Sequence, residues 1–341
     1  MKIAIVGAGF CGLSLSYFFL QSKTCEVTLF DPKGIGGGAS GVATGLLHPY
    51  PGEQGRRSWK ASEGIGATLA LLKKVEEATG RTAASYDGIL RVVQNEEQKA
   101  AFLSHIEQHG DVELIDEELF LIKSGVTVHC QSYLQGLWEM VSRAGGILVQ
   151  KAVKSLSDLE AYDQIVLTAG GGISGFSEAS KLRFSCTKGQ VLKAEVPPFL
   201  QNGFQSIIGK GYLAKGDRPD VCYIGSTYER PFVSDCPDRL FAEKEILPKA
   251  TLFFPQTDQL RILGCSAGVR VTRVGHYYPI IARFSPTNWA LTAMGSRGLM
   301  YHAFLAELLS QAILTADDAC IPSEVLINAM QGTGVHEEVC V

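Results

Sequence analysis

Paired cysteines, zinc-spaced ligands and long apolar runs are all missing from this 341-residue sequence. Its nine cysteines stand at positions 11, 25, 130, 186, 222, 236, 265, 320 and 340, an odd number with no Cys-x-x-Cys pair and no histidines at metal-binding spacing. That excludes a disulfide scaffold and a zinc module; the cysteines read as reduced thiols of a cytoplasmic protein, and no metal is expected. No stretch approaches the ~20 uninterrupted apolar residues of a membrane span, so no membrane partner is expected. Residues 3–20 are apolar enough to imitate a signal peptide, but only Lys2 precedes them and glycines interrupt the run where a continuous helix would be needed. Positive charge is not in excess either. Lys and Arg number 31 against 35 Asp and Glu, a net charge of −4 with a pI near 6.0, which argues against wholesale capture of nucleic acid and leaves room only for local basic patches. Repeats and low-complexity segments are absent, and no Ser-His-Asp set or pair of acids stands out for nucleophilic or two-acid catalysis.

What is present is glycine in particular places. An apolar strand, Lys2 to Val6, runs into Gly7-Ala8-Gly9-Phe10-Cys11-Gly12 and an apolar helix, and a second strand, Glu26 to Phe30, ends at Asp31. In such a unit the first glycine permits the tight strand-to-helix turn, the second lets the backbone touch a pyrophosphate, and the third lets helix and strand pack closely. The phosphate charge then sits at the helix N-terminus. A carboxylate nineteen residues past the last glycine, Asp31, is placed to accept hydrogen bonds from a ribose. The unit predicts a dinucleotide site, for NAD or FAD. The next loop, Pro32-Lys33-Gly34-Ile35-Gly36-Gly37-Gly38-Ala39-Ser40-Gly41, is so glycine-dense that its backbone is expected to press against the ligand.

Length suggests two domains. Periodicity predicts helices at residues 62–79, 96–108, 239–246 and 302–314, and another capped by Ser132 that ends before Gly145. Strands are expected at 89–94, 147–150 and 164–168, then as short antiparallel pieces at 190–196, 206–208 and 222–225, and again at 278–282 and 289–293. The region after residue 108 reads as irregular. The fold expected is α/β (α+β overall): a Rossmann-type cofactor domain from residues 1–50, 129–185 and 262–315, an interleaved, mainly antiparallel substrate domain from 51–128 and 186–261, and a weakly anchored tail at 316–341.

The glycine turn together with Ala39-Ser40-Gly41, Thr168-Ala169-Gly170, Lys188-Gly189-Gln190-Val191 and Gly295-Ser296-Arg297-Gly298 resembles the FAD-dependent D-amino acid oxidase superfamily, which includes glycine and sarcosine oxidases, over almost the whole chain. A closer likeness runs through Gly45-Leu46-Leu47-His48-Pro49, Gly211-Tyr212-Leu213, Gly225-Ser226-Thr227-Tyr228-Glu229-Arg230 and Gly298-Leu299. These resemble the FAD domain of the bifunctional tRNA 5-methylaminomethyl-2-thiouridine biosynthesis enzymes, which removes a carboxymethyl group from a modified wobble uridine. The methyltransferase half of those enzymes is not in this sequence. Asp31 stands where FAD members more usually have glutamate, and residues 270–279 depart from the family's usual Thr-Pro-Asp-like run.

The resemblance implies a noncovalent FAD. It places Gly7, Ala8, Gly9, Phe10, Cys11 and Gly12 at the pyrophosphate, and Phe30, Asp31 and Pro32 at the adenosine ribose. The backbone of Val153 would meet the adenine. Ala39, Ser40, Gly41, Gly45 and Leu46 fall on the flavin side, Thr168, Ala169 and Gly170 at a further cofactor contact, and Gly295, Ser296, Arg297, Gly298 and Leu299 at the isoalloxazine edge. Arg270 matches the arginine that clamps a substrate carboxylate, a task suited to a planar fork of donors. Arg297 would stabilise negative charge on reduced flavin, and His48, Tyr50, Tyr212 and Tyr228 are the candidate substrate contacts. The implied reaction oxidises a carboxylate-bearing amine, with molecular oxygen as the expected electron acceptor. The substrate is either a free amine such as glycine, sarcosine or a D-amino acid, or a tRNA-borne one; a flavin-holding binding module without turnover is the third reading. For tRNA, the basic candidates are Arg56, Arg57, Lys60, Lys181, Arg183 and Lys188.

Overall fold

Strand Lys2–Val6 lies near the middle of a seven-stranded sheet in the computed structural model, which describes residues 1–201 and 203–329. The sheet order is Leu326–Asn328, Ile280–Arg283, Asn288–Thr292, Gln164–Leu167, Lys2–Val6, Glu26–Phe30 and Ile147–Val149. From Asn288–Thr292 onward the strands run parallel, while Ile280–Arg283 is antiparallel to its neighbour Asn288–Thr292. These strands are apolar on both faces because both faces are covered. Ile3, Ile5, Val27, Leu29 and Val166 pack under the helices Phe10–Leu20, Ala61–Thr79, Cys130–Arg143 and Gly298–Thr315. Ala4, Val6, Ile165 and Leu167 pack on the other side with Ile173, Phe176 and Leu182.

The second sheet has eight strands, in the order Ile262–Arg273, Phe184–Glu195, Val221–Gly225, Tyr212–Lys215, Ser206–Ile208, Ile89–Val92, Leu119–Ile122 and Val112–Asp116. All its pairs are antiparallel except that of Ser206–Ile208 with Ile89–Val92. Its two longest strands pair from Phe184 opposite Arg273 to Ala194 opposite Ile262. Helix Arg239–Ala250 covers Leu192, Leu213 and Ile224. A small sheet of Leu46–Leu47, Val126–Val128 and Ala84–Ser85 completes the strands. The mixed α/β architecture, part parallel and part antiparallel, is the one expected.

Several local expectations need correction. The region after residue 108, read as irregular, carries strands Val112–Asp116, Leu119–Ile122 and Val126–Val128. The helix expected to start at a Ser132 cap starts at Cys130, with Ser132 inside its first turn. Strand Ile262–Arg273, in a segment assigned to the cofactor side, is the edge of the eight-stranded sheet, and helix Ala61–Thr79, assigned to the substrate side, buries Leu71, Leu72 and Val75 in the same core as Ile3 and Leu13. The described part of the tail is anchored: Ile321 and Val325 are buried, and Leu326–Asn328 pairs parallel with Ile280–Arg283. Residues 330–341, with Cys340, lie outside the described residues. Among the described residues no helix is long and apolar enough to cross a membrane, and no group of His, Cys, Asp and Glu is arranged to hold a metal.

Where the helices Phe10–Leu20, Cys130–Arg143 and Gly298–Thr315 meet, His302 is fully buried. Its Nδ1 is 2.7 Å from Ser14 Oγ, its Nε2 is 3.5 Å from Tyr133 Oη, and its ring stacks on Phe10 at 5.2 Å. Burial pushes its pKa down to about 3. The neutral ring therefore belongs to the folded state, whereas the unfolded chain takes up a proton below about pH 6.5. Stability from this group is present above that pH and is lost as pH falls toward about 3. At pH 5 the loss is about 2 kcal/mol. Urea unfolding at pH 7.5 and pH 5 should show this decline, and His302→Phe should remove about that much of it; an unchanged pH dependence in the variant would place the proton uptake elsewhere.

Candidate functional site

Gly7, at φ +116°, closes the turn between strand Lys2–Val6 and helix Phe10–Leu20 in a region of backbone space that side-chain-bearing residues avoid. A Cβ on Gly12 would lie 1.8 Å from the Gly7 carbonyl oxygen, so helix and strand approach as closely as the sequence pattern requires. A Cβ on Gly9 would meet Ser40 Oγ at 2.7 Å. The Phe10 N–H donates to that same Ser40 hydroxyl at 3.1 Å, which brings the glycine-dense loop against the helix N-terminus. The helix carries no acid in its first turn and no side-chain cap on Gly9, so its positive end is not neutralised by its own residues. These are the features of a cradle for a pyrophosphate.

Asp31 does more than the sequence pattern suggests. Its Oδ2 accepts from the Ala8 N–H at 2.9 Å and its Oδ1 from the Lys33 N–H at 2.8 Å, so it braces the turn. A carboxylate offers about four acceptor positions, which leaves room for a ribose hydroxyl. Thr168 Oγ1 donates to the carbonyls of Val6 and Gly7 and fastens the next strand to the turn. Phe30 is buried and Val153 half-buried against the same core, and the exposed Pro32 accepts the Gln150 side-chain amide at its carbonyl.

Between the two sheets lies a cavity of about 370 Å³. Of the expected cofactor residues, Gly9, Phe10, Cys11, Ala39, Ser40 and Gly45 line it, as do Leu46, Thr168 and Gly170, and further along Gly295, Ser296, Gly298 and Leu299. Segments far apart in sequence thus converge on one space. Gly7, Ala8, Gly12, Phe30, Asp31, Pro32, Gly41, Val153 and Ala169 do not reach that wall; the Gly41 carbonyl accepts the Gln131 side-chain amide. Cys11 lines the cavity half-buried, and desolvation raises its thiol to about 12, so it stays neutral beside the cradle. Residues of the eight-stranded sheet close the far side, among them Gly189, Val191, Ile208, Tyr212 and Arg270.

The substrate candidates separate. His48 and Tyr212 line the cavity. Burial, helped by the charge of Arg91, pushes His48 down to about 3, so its ring is neutral at physiological pH, and its Nδ1 accepts the Tyr50 N–H at 3.3 Å. Burial raises the Tyr212 hydroxyl, an effect that Thr44, the Arg270 charge and Ser226 offset in part. Arg270 lines the cavity half-buried, donating from Nη2 to the Thr227 carbonyl at 3.3 Å and lying against Gly189, where a Cβ would meet Nη2 at 2.5 Å. It has no ion-pair partner among the described residues.

Tyr50, Tyr228 and Arg297 do not line the cavity. Tyr50 is fully buried in another core, stacked on His105 at 4.1 Å, with its hydroxyl donating to Asp111. Tyr228 is 68% exposed, with the Arg230 and Arg270 guanidinia 5.4 and 5.9 Å from its ring. Arg297 turns away from its glycine neighbours to Ser58 Oγ at 3.3 Å and sits 5.1 Å from the Tyr277 ring centre. Of the basic residues weighed for phosphate contact, Lys188 is buried in an ion pair with Glu229 at 3.5 Å, Lys60 pairs with Glu63, and Arg57 donates to Tyr50 and Ser62. Arg56, Lys181 and Arg183 remain exposed.

Sequence reading passed over Arg91. It lies in Ile89–Val92, where Ile89 and Arg91 face the buried side, and it lines the cavity at 3% exposure. An arginine in phase with the apolar residues of a strand was the available signal.

The chain matches the family model described as FAD dependent oxidoreductase (DAO) over residues 2–312. Among solved structures it is similar to iminodiacetate oxidase from Chelativorans sp. BNC1, with a TM-score of 0.80 and 18% identity over 96% of this chain and 99% of that one. It is similar also to L-proline dehydrogenase from P. horikoshii (TM-score 0.77, 16% identity, 94% and 95% covered) and to glycine oxidase from Geobacillus kaustophilus (0.76, 17%, 93% and 95%). No curated protein matches. At these identities the likeness to the solved structures is one of fold.

Proposed function

The chain belongs to the DAO family of FAD-dependent oxidoreductases, and from that premise we propose that it oxidises the C–N bond of a small carboxylate-bearing amine. The observation that carries this reading is Arg270, a guanidinium without an acidic partner among the described residues, in the wall of the cavity on which the glycine segments converge. The proteins of similar fold named above act, by their names, on iminodiacetate, proline and glycine, all amines that carry a carboxylate.

The residues present fit FAD: the Gly7–Gly12 cradle for the pyrophosphate, Asp31 for the ribose, Val153 for the adenine, and Ala39–Leu46 with Gly295–Leu299 for the flavin. When bound, FAD supplies the two-electron acceptor for the C–H bond beside the amine nitrogen. Arg270 holds the carboxylate in two parallel hydrogen bonds and so fixes which C–H bond is presented. Leu46, Val191, Ile208 and Met294 in the lining keep that space poor in water. His48, held neutral, adds no positive charge there that would oppose the amine. The oxidised substrate is an imine, which water splits into a shorter amine and an oxo acid; dioxygen is the terminal acceptor and leaves as hydrogen peroxide. Residues 1–50, 129–185 and 262–315 make the cofactor side and residues 51–128 and 186–261 the substrate side, with strand Ile262–Arg273 and helix Ala61–Thr79 crossing between them.

The tRNA-borne form of the same chemistry has less behind it. Lys188, Lys60 and Arg57 are already engaged within the protein, which leaves Arg56, Lys181 and Arg183 as its exposed basic residues. Anaerobic mixing separates the readings. Bleaching of the flavin by free glycine, proline or N-carboxymethyl amines is the expected result, bleaching only by carboxymethylaminomethyl-tRNA would move the substrate to RNA, and an oxidised flavin with all of them would refute amine oxidation.

A further inference from the structure

We propose that the substrate is an amine with two carboxylates, the second of which is received by Arg91; this rests on the carboxylate-bearing-amine reading above and specifies its class. Arg91 is 97% removed from solvent and lines the same cavity as Arg270. Its Nη2 makes one long hydrogen bond, 3.4 Å, to the Gly52 carbonyl, its guanidinium lies 5.8 Å from the Phe102 ring centre, and its buried Nε has no partner. Among the described residues no carboxylate lies within ion-pair distance of it. The acid whose charge it feels is Glu53, itself exposed, and its other titratable neighbour is His48, which is neutral. Burial lowers Arg91 only to about 10, so it remains a cation. Among the described residues the cavity wall holds two arginines and no aspartate or glutamate. A buried cation left without a counter-ion is costly, and an anionic ligand entering the cavity removes that cost.

Strand register explains why the two arginines serve two groups rather than one. Arg91 stands opposite Ile208, Ile208 opposite Tyr212, Tyr212 opposite Gly225, and Gly225 opposite Val191, a row across five neighbouring strands. Arg91, Ile208, Tyr212 and Val191 all line the cavity, so this row forms one face of it. Arg270 comes from beyond the far end of the row, on the strand next to Val191, and lies over Gly189. Four strand spacings of about 4.8 Å each separate the Arg91 backbone from that of Gly189. The guanidinia enter from opposite ends of this row of strands, as the two ends of a dicarboxylate require, and not side by side, as a doubly clamped single carboxylate would.

The test compares iminodiacetate with sarcosine, which lacks the second carboxylate, in the FAD-loaded full chain. The wild-type protein should favour iminodiacetate by about a hundredfold in kcat/KM, and Arg91→Met should erase that preference, the excess loss falling on iminodiacetate and read in KM. Equal use of the two amines by wild type, or an equal loss for both in the variant, would overturn the proposal. Arg91→Lys, which keeps the charge, should retain part of the preference and guards against a variant that fails to fold. Binding of glutarate, read from the flavin absorbance, decides the point independently of turnover. Glutarate binding far tighter than butyrate in wild type, with the difference lost in Arg91→Met, supports a second carboxylate site even if amine oxidation itself fails. No such difference refutes it.

Discussion

A Gly12→Val protein is expected to purify colourless and to stay so when FAD is added back. The Cβ would stand 1.8 Å from the Gly7 carbonyl oxygen and 2.9 Å from Thr168 Oγ1. The first of these contacts is backbone, part of the turn that Asp31 and Thr168 brace, so it cannot move aside as a flexible side chain would. Relief requires the helix N-terminus to swing away from the strand, and the N–H groups proposed to hold the pyrophosphate go with it. Affinity for FAD should fall by at least about a hundredfold, the scale of a lost anion site with its several charge-assisted hydrogen bonds. Gly66→Ala is the matched control. A Cβ there meets nothing within 4 Å, and an exposed helical glycine replaced by alanine should gain about 0.5–1 kcal/mol in stability with flavin content unchanged. The ratio of flavin to protein absorbance in the two preparations, followed by titration of each with FAD, measures both effects. Normal flavin content in Gly12→Val would mean that the cofactor lies elsewhere.

Arg270→Leu is expected to keep its flavin and lose its substrate. With the guanidinium gone, a carboxylate in the cavity loses two charge-assisted hydrogen bonds near Thr227 and Gly189, and kcat/KM should fall by about a hundredfold or more, chiefly through KM. Arg270→Lys restores charge but not the fork, so it should recover only part of the loss. Steady-state kinetics with a carboxylated amine and with its decarboxylated analogue make the comparison, since the analogue should be indifferent to either change. Wild-type kinetics in Arg270→Leu would remove this residue from the site.

How far the sequence could be read depended on the range of the interactions involved. Gly7, Gly9 and Gly12 answer to steric demands made within a few residues, so their spacing alone located the turn and the structure adds only distances. Strand Ile262–Arg273 was not legible because Gly264, Ser266 and Gly268 read locally as turn residues, while its order comes from pairing with Phe184–Glu195 some eighty residues earlier. Lys188 looked like surface charge; its partner, Glu229, arrives from a different strand connection. Tyr50 follows the flavin-side loop in sequence, yet the chain turns there and its ring enters the core of Phe102 and Phe120. The tail was expected to be weakly anchored, and the three residues by which it joins the seven-stranded sheet are too few to show a period. Arg91 was passed over although its signal was local, the alternation of Ile89–Val92, which was read as an ordinary strand.

Anaerobic rapid mixing of the FAD-loaded protein with an N-carboxymethyl amine deuterated at its methylene carbon tests the central claim most directly. Loss of the oxidised flavin band, slowed by a primary isotope effect against the undeuterated amine, is the predicted result. A flavin band that stays oxidised, or one that fades at the same rate with both amines, would contradict it.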